Sequence, residues 1–157
     1  MATTLRPLVD ADLDALFLWE SDPRAVELAA FTRADPSDRS AFDAHYERVR
    51  ANPANTLLAI EEDGEFAGTA GSYTLDGKRE VTYWIDPARW GRGIASRALA
   101  AFLELERTRP LYGRVAAHNG GSAKVLTRAG FVEIGSDEGF APGLGRDVVE
   151  HIYRLDA

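Results

Sequence analysis

Apolar positions change their period several times along the 157 residues of this chain, and each change predicts a different element. TLRPLV alternates as a short opening strand. In DADLDALFLWE, Leu13, Leu16 and Phe17 recur at helical spacing behind Asp10, which is placed to cap the helix. Asp22 and Pro23 open a second short helix through Phe31. ADPSDRSAFDAHYERVRANP predicts a longer one, with Phe42, His45, Tyr46 and Val49 on one face and Pro53 as its stop. From Thr56 the period falls to two, and TLLAIEEDGEFAGTAGSYTLDGKREVTYWID reads as three antiparallel strands joined at Asp63-Gly64 and Asp76-Gly77, dipeptides that favour tight hairpin turns. Pro87 ends the third of these strands.

Beyond Pro87 the helical period returns. Ile94, Ala98, Ala101, Phe102 and Leu105 define the buried stripe of a helix that closes before Pro110. LYGRVAAH predicts a strand, and SAKVLTRAGF a short helix with Gly130 at the left-handed cap position. FVEIGS and GRDVVEHIYRL then make two closing strands. The order implies one α/β domain spanning residues 1–157, with no repeat or linker, large enough to bury a proper core.

Composition narrows the function. No run of eighteen apolar residues occurs, and MATTLRPLVD lacks the basic start and apolar stretch of a secretory signal, so the expectation is a cytoplasmic protein with no membrane partner. Cysteine is absent, which removes disulfides, thiolate metal sites and a cysteine nucleophile together. His45, His118 and His151 have no ligand spacing, so no metal site is expected. A formal charge of -7 argues against a nucleic-acid partner, which calls for a basic footprint. That charge is uneven: residues 87–132 hold eight basic residues against Glu104 and Glu106, a local +6 that leaves -13 for the rest. A basic centre in an acidic protein suits an anionic ligand held centrally.

The centre of that region is RWGRGIAS, between a strand and a helix. It lacks the third glycine of a dinucleotide fingerprint, the GK[ST] of a Walker loop and the G-x-S-x-G of a serine hydrolase. Strand, glycine loop and helix together form a different device. The first amides of a helix have no intrahelical partners and sit at the positive end of its dipole, so they bind a pyrophosphate where side chains leave room. Gly91, Gly93 and Ala95 keep that approach open, and Arg89, Arg92 and Arg97 supply field with no acid nearby in sequence.

Trp90-Gly91-Arg92-Gly93-Ile94-Ala95 resembles the Q/R-x-x-G-x-G/A loop of the GNAT family of N-acyltransferases. Its YWIDP and WGRG context is similar to the branch that acetylates N-terminal amines of ribosomal proteins. Asn119, Ser122, Val125-Leu126 and Gly130-Phe131 match that family's N-x-x-S-x-x-V-L-x-x-x-G-F. The resemblance implies a mixed, mostly antiparallel sheet of about seven strands flanked by helices and splayed between the fourth and fifth strands. It implies acetyl-CoA as donor, its pyrophosphate on the loop from Trp90 through Ser96. Backbone groups of Trp84, Ile85 and Asp86 would pair with the pantetheine arm, and a free amide there would hold the acetyl carbonyl; Asn119 would hydrogen-bond the arm. Many relatives carry a tyrosine four residues beyond Ser122 to protonate the departing sulfur, where this chain has Leu126.

For the acid, Ser122 is the substitute, with helix N-cap as its alternative role. For the base, the resemblance points to Glu80, with a solvated position near the Asp76-Gly77 turn as the alternative and Glu150 and His151 in reserve. Strand alternation puts Glu80, Thr82 and Trp84 on one face and Val81, Tyr83 and Ile85 on the other. The implied activity is direct acetyl transfer to a primary amine, on a peptide N-terminus or a small molecule. The helical front and the loop near GFAPGLG would shape the acceptor pocket. A non-catalytic acyl-CoA-binding sensor is the alternative, and a monomer and a homodimer are both compatible with an exposed strand edge.

Overall fold

In the computed structural model, which describes residues 2–157, both Asp-Gly pairs form the hairpin turns their chemistry favours. Asp63 and Gly64 have φ of 51° and 85°, and Asp76 and Gly77 have 51° and 75°, the doubly left-handed geometry of a two-residue turn that matches strand twist. They join β2 (Thr56–Glu62), β3 (Glu65–Leu75) and β4 (Lys78–Ile85), with β1 (Thr3–Pro7) alongside β2. After β4 come helix α4 (Ile94–Leu105), β5 (Leu111–Ala116), α5 (Gly120–Arg128), β6 (Val132–Ala141) and β7 (Arg146–Leu155). The seven strands form one sheet in the order β1-β2-β3-β4-β5-β7-β6.

Every neighbouring pair is antiparallel except β4 and β5. That parallel pair joins only Arg79 to Leu111 and Glu80 to Tyr112, after which the strands part and leave a V-shaped gap. This is the expected mixed sheet with its splay between the fourth and fifth strands. The closed end of the V is fastened by a buried polar network. Arg79 Nε lies 2.8 Å from Glu106 Oε1, Ser72 Oγ donates to the same oxygen at 2.5 Å, and Arg79 Nη1 donates to the carbonyl of Ala54 at 2.6 Å.

Two layers of helix cover the sheet. On one face, Ile60, Val81 and Ile85 pack with Ile94, Ala98, Leu99 and Phe102 of α4 and Leu126 of α5 as the main core. On the other, α1 (Leu13–Ser21) and α3 (Arg39–Ala51) build a smaller core of Leu16, Phe42 and Tyr46 against Leu57, Phe66 and Trp84, and α2 (Pro23–Ala29) lies between them in the chain.

Five local expectations change. Asp10 does not cap α1: residues Asp10–Asp12 form a 3-10 turn, and the buried Asp12 accepts from the amide of Val9 while Arg6 of β1 clamps both its oxygens. Helix α2 stops at Ala29, because Ala30 takes a φ of 64° and turns the chain. In α4 the buried stripe runs through Leu99, and Leu105 is 62% exposed where the helix overhangs the sheet. His45 points to solvent while Phe42 and Tyr46 beside it are buried. Strand β6 is longer than FVEIGS and runs on through Gly139 to Ala141, which leaves a short turn in place of the broad GFAPGLG loop. That turn docks on the end of α2, where the amide of Gly143 donates to the carbonyl of Ala30 at 3.1 Å.

Burial opposes ionisation of Glu106, but hydrogen bonds from Ser72, Arg79 and Thr108 outweigh it and hold the carboxyl at about 2, against 4.5 ordinarily. A folded-state pKa below the unfolded one stabilises fully above 4.5 and is lost as pH falls through about 2. The loss comes to about 3 kcal/mol at 1.36 kcal/mol per unit of pKa. Urea unfolding of the wild type and Glu106→Gln should show a stability gap that is widest above about pH 5 and narrows steadily towards about pH 2.

Candidate active site

The loop after β4 is built by two backbone requirements. Gly91 and Gly93 have φ of 79° and 76°, a conformation in which a Cβ is strained. Over Gly91 a Cβ would meet no atom within 4 Å, so the glycine leaves open space, whereas over Gly93 it would lie 2.9 Å from Nη1 of Arg97. Gly93 is the N-cap residue of α4 and has no side chain to cap with. The first intrahelical bond runs from the Arg97 amide to the Gly93 carbonyl at 3.1 Å, which places the N–H groups of Ile94, Ala95 and Ser96 ahead of the ladder.

The three arginines differ in what they contribute. Among the described residues no carboxylate lies within ion-pair distance of Arg92, so its charge is uncancelled. Arg97 is neutralised: its Nη2 is 2.6 Å from Glu62 Oε2, Nε donates to Thr3 Oγ1 at 2.9 Å, and Nη1 donates to the carbonyl of Arg92 at 2.9 Å. It braces the loop instead of charging it. Arg89 stands between Asp86 at 3.4 Å and Glu65 at 3.6 Å. Replacing them as sources of positive charge are Lys124 and Arg128 on α5, which sequence reading did not assign to the site.

A cavity of about 670 Å³ opens between the loop and the N-terminal half of α5, with Tyr83, Trp84 and Ile85 along its floor and Ala25, Leu28 and Ala29 of α2 as a wall. Strand alternation decides which backbone groups face it. The amide of Asp86 donates to Ala67 of β3 at 2.8 Å, so Asp86 and Trp84 direct their peptide groups to β3 and Tyr83 and Ile85 direct theirs into the gap. Of the three residues expected to offer free backbone, Ile85 does so. Its carbonyl already accepts from the indole Nε1 of Trp90 at 3.2 Å. The Asp86 carboxylate accepts from the amide of Ala88 and fixes the turn.

On the other wall, Asn119 is the N-cap of α5, its Oδ1 accepting from the amide of Ser122 at 3.3 Å. Ser122 therefore is not the cap. Its Oγ lies 2.7 Å from the hydroxyl of Tyr83, which also donates to the Ser122 carbonyl at 3.2 Å. Burial is the main cause that pushes the Tyr83 hydroxyl up to about 12, with the Ser122 hydrogen bond acting against it. Leu126, where relatives carry a tyrosine, points into the core and packs so closely that a Cβ on Gly113 would lie 3.0 Å from one of its methyls. At the mouth, Nε2 of His118 hydrogen-bonds to the carbonyl of Glu27 at 2.5 Å and ties the turn after β5 to α2.

Glu80 is 2% exposed, so its alternative as a solvated turn residue does not hold. It lies on the sheet face opposite Tyr83, 3.3 Å from Arg114 Nε and 3.5 Å from the Tyr73 hydroxyl. Arg114 also contacts Glu150 at 3.2 Å and Asp137 at 3.5 Å, so three carboxylates share one guanidinium. Burial raises Glu150, and Arg114 counters part of that rise. His151 turns away towards Glu133 at 3.8 Å. Among the described residues no group of three or more metal-ligating side chains is placed to hold a metal ion, and no helix is long and apolar enough to cross a membrane.

The splayed sheet, the glycine loop and the capped α5 together define a class. This chain belongs to the GNAT acetyltransferase family, whose acetyltransferase (GNAT) domain matches residues 3–132. It is 26% identical over 132 aligned residues to the N-alpha-acetyltransferase RimI of Mycobacterium tuberculosis (strain ATCC 25618 / H37Rv), covering 73% of this chain and 84% of that protein. The fold is similar to that of an N-acetyltransferase from Staphylococcus aureus Mu50, with a TM-score of 0.82, 21% identity and 99% of each chain covered. It is similar also to a Salmonella typhimurium protein solved with its cofactor acetyl-CoA, with a TM-score of 0.78, 21% identity, and coverage of 99% of this chain and 94% of that one.

Removing Arg114 alone leaves Glu80 buried without its cation. Arg114→Met should lower stability by about 3 kcal/mol, and adding Glu80→Gln should recover most of it. Chemical denaturation of the two single variants and the double variant gives the coupling.

Proposed function

We propose that the protein transfers an acetyl group from acetyl-CoA directly to a primary amine, with both substrates bound together. The observation that carries this reading is the uncapped start of α4 behind two left-handed glycines, at the mouth of the gap between β4 and β5. The fit to the donor is steric and electrostatic. Open space above Gly91, the unpartnered amides of Ile94 to Ser96 and the cations of Lys124 and Arg128 along the same cavity suit a diphosphate, while Arg92 does not line it. Acetyl-CoA, when bound, supplies an acyl group activated by a thiol leaving group.

The chain's own residues do the rest. Backbone of Tyr83 and Ile85 and the carboxamide of Asn119 orient the pantetheine arm, and an amide in the gap stabilises charge growing on the acetyl oxygen, an effect worth several kcal/mol. Ser122 offers its hydroxyl to the departing sulfur. A thiol of pKa about 8.5 leaves well enough as its anion that a hydrogen bond suffices in place of a full proton transfer. On the opposite face, Glu80, held by Arg114, takes up the amine's proton through water.

The acceptor side favours a cationic amine, since Glu80, Glu150 and Asp137 outnumber Arg114. An α-amine of pKa about 8 loses about 1.4 kcal/mol to deprotonation at pH 7 and a lysine amine about 4.6 kcal/mol, so the former asks less of a base. We read the acceptor as a peptide N-terminus or a small amine of similar basicity, in line with the N-alpha-acetyltransferase relative.

Thiol release measured against a panel of amines should be acceptor-dependent and at least tenfold faster with peptide α-amines than with Nα-blocked lysine peptides. Cofactor binding without acceptor-dependent release would contradict the reading. Gly91→Val, which combines backbone strain with a side chain in the open cradle, should weaken acetyl-CoA binding more than about tenfold while leaving the far-UV spectrum unchanged.

A further inference from the structure

The tyrosine that relatives place beyond Ser122 is a buried leucine here, yet a tyrosine hydroxyl still reaches the site from another strand. Tyr83 lies on β4, 39 residues before Ser122, with its ring packed against the main core and its oxygen 2.7 Å from Ser122 Oγ. Both residues line the same cavity. A buried phenol hydroxyl ordinarily finds a partner, and this one has both of its acceptors, Oγ and the backbone carbonyl at 3.2 Å, on a single residue of the opposite cavity wall.

We propose that Tyr83 is a positioning residue that holds Ser122 Oγ as acceptor, so that the serine's own proton is directed into the cavity towards the departing sulfur. The inference rests on the acyl-transfer reading above. Two hydrogen-bond arrangements are available without movement of a heavy atom. With Tyr83 donating to the backbone carbonyl, Ser122 donates to Tyr83 and its proton is spent. With Tyr83 donating to Oγ, the serine proton is free for the site.

The bond from the amine nitrogen to the acetyl carbon forms as the carbon–sulfur bond breaks. The bonding pair stays with sulfur, and the surplus amine proton leaves on the Glu80 face. No proton needs to pass from Tyr83 to the thiolate. With the phenol pushed up to about 12 and a thiol at about 8.5, that transfer is unfavourable by more than about a thousandfold. The pair acts as a hydrogen-bond donor to an anion, which is worth roughly ten- to a hundredfold.

Calorimetric titration of the whole protein with CoA and with desulfo-CoA, at about pH 9 where a free thiol is mostly ionised, isolates that bond. The wild type should bind CoA about tenfold or more tightly than desulfo-CoA. Tyr83→Phe and Ser122→Ala should each lose most of that preference while binding desulfo-CoA normally, and the double variant should be no worse than Ser122→Ala. The same pattern should appear in kcat, with KM for acetyl-CoA little changed. A Tyr83→Phe variant that keeps the preference, that loses CoA and desulfo-CoA affinity alike, or whose effect adds to that of Ser122→Ala would overturn the proposal. A wild type that binds neither ligand would overturn the acyl-transfer reading and this inference with it.

Discussion

A parallel strand pair that ends after two residues leaves backbone hydrogen-bonding groups in the middle of a sheet with nothing to bond. Most buried peptide groups in folded proteins are paired, so an interior gap needs either water or a ligand. Here the gap lies between Tyr83-Ile85 and β5, and the molecule is arranged around keeping it open. Arg79, Ser72 and Glu106 fasten its closed end, helices α4 and α5 begin at its open end, and the indole of Trp90 engages one of its carbonyls. Binding in such a gap completes the sheet, which explains how a site with few fixed charges can hold a long, flexible ligand arm.

The same strand divides the chemistry between its two faces. Tyr83 points to the α4–α5 layer and meets Ser122, while Glu80 points to the α1–α3 side and meets Arg114. In the proposed reaction, alternation along β4 would separate the group that eases sulfur departure from the group that receives the amine's proton. The helical front matters because α2 walls the cavity, and the turn at Gly143 and the ring of His118 both tie to it.

Features governed by local chemistry were legible in the sequence. The Asp-Gly turns, the glycines of the α4 loop and the Gly130 cap each satisfy a backbone requirement of a few residues, and the splay followed from the family resemblance. Features that depend on partners far along the chain were not. Asp10 looks like a cap until Arg6 of β1 is seen to draw Asp12 into the turn. Arg97 looks like a free cation until Glu62 arrives from β2, and Glu80 like a solvated residue until Arg114 arrives from β5. Tyr83 was assigned to the correct face, but alternation gives a face and not a partner, so its meeting with Ser122 could not be read from spacing.

The central claim, that the start of α4 holds a diphosphate and aims the donor into the gap, is tested most directly by following backbone amide resonances during titration with CoA. The largest shifts should fall on Gly91 to Ser96, with smaller ones on Tyr83, Ile85 and Asn119. Shifts centred instead on Lys78, Arg79 and Arg109, around the second cavity at the closed end of the V, would contradict it.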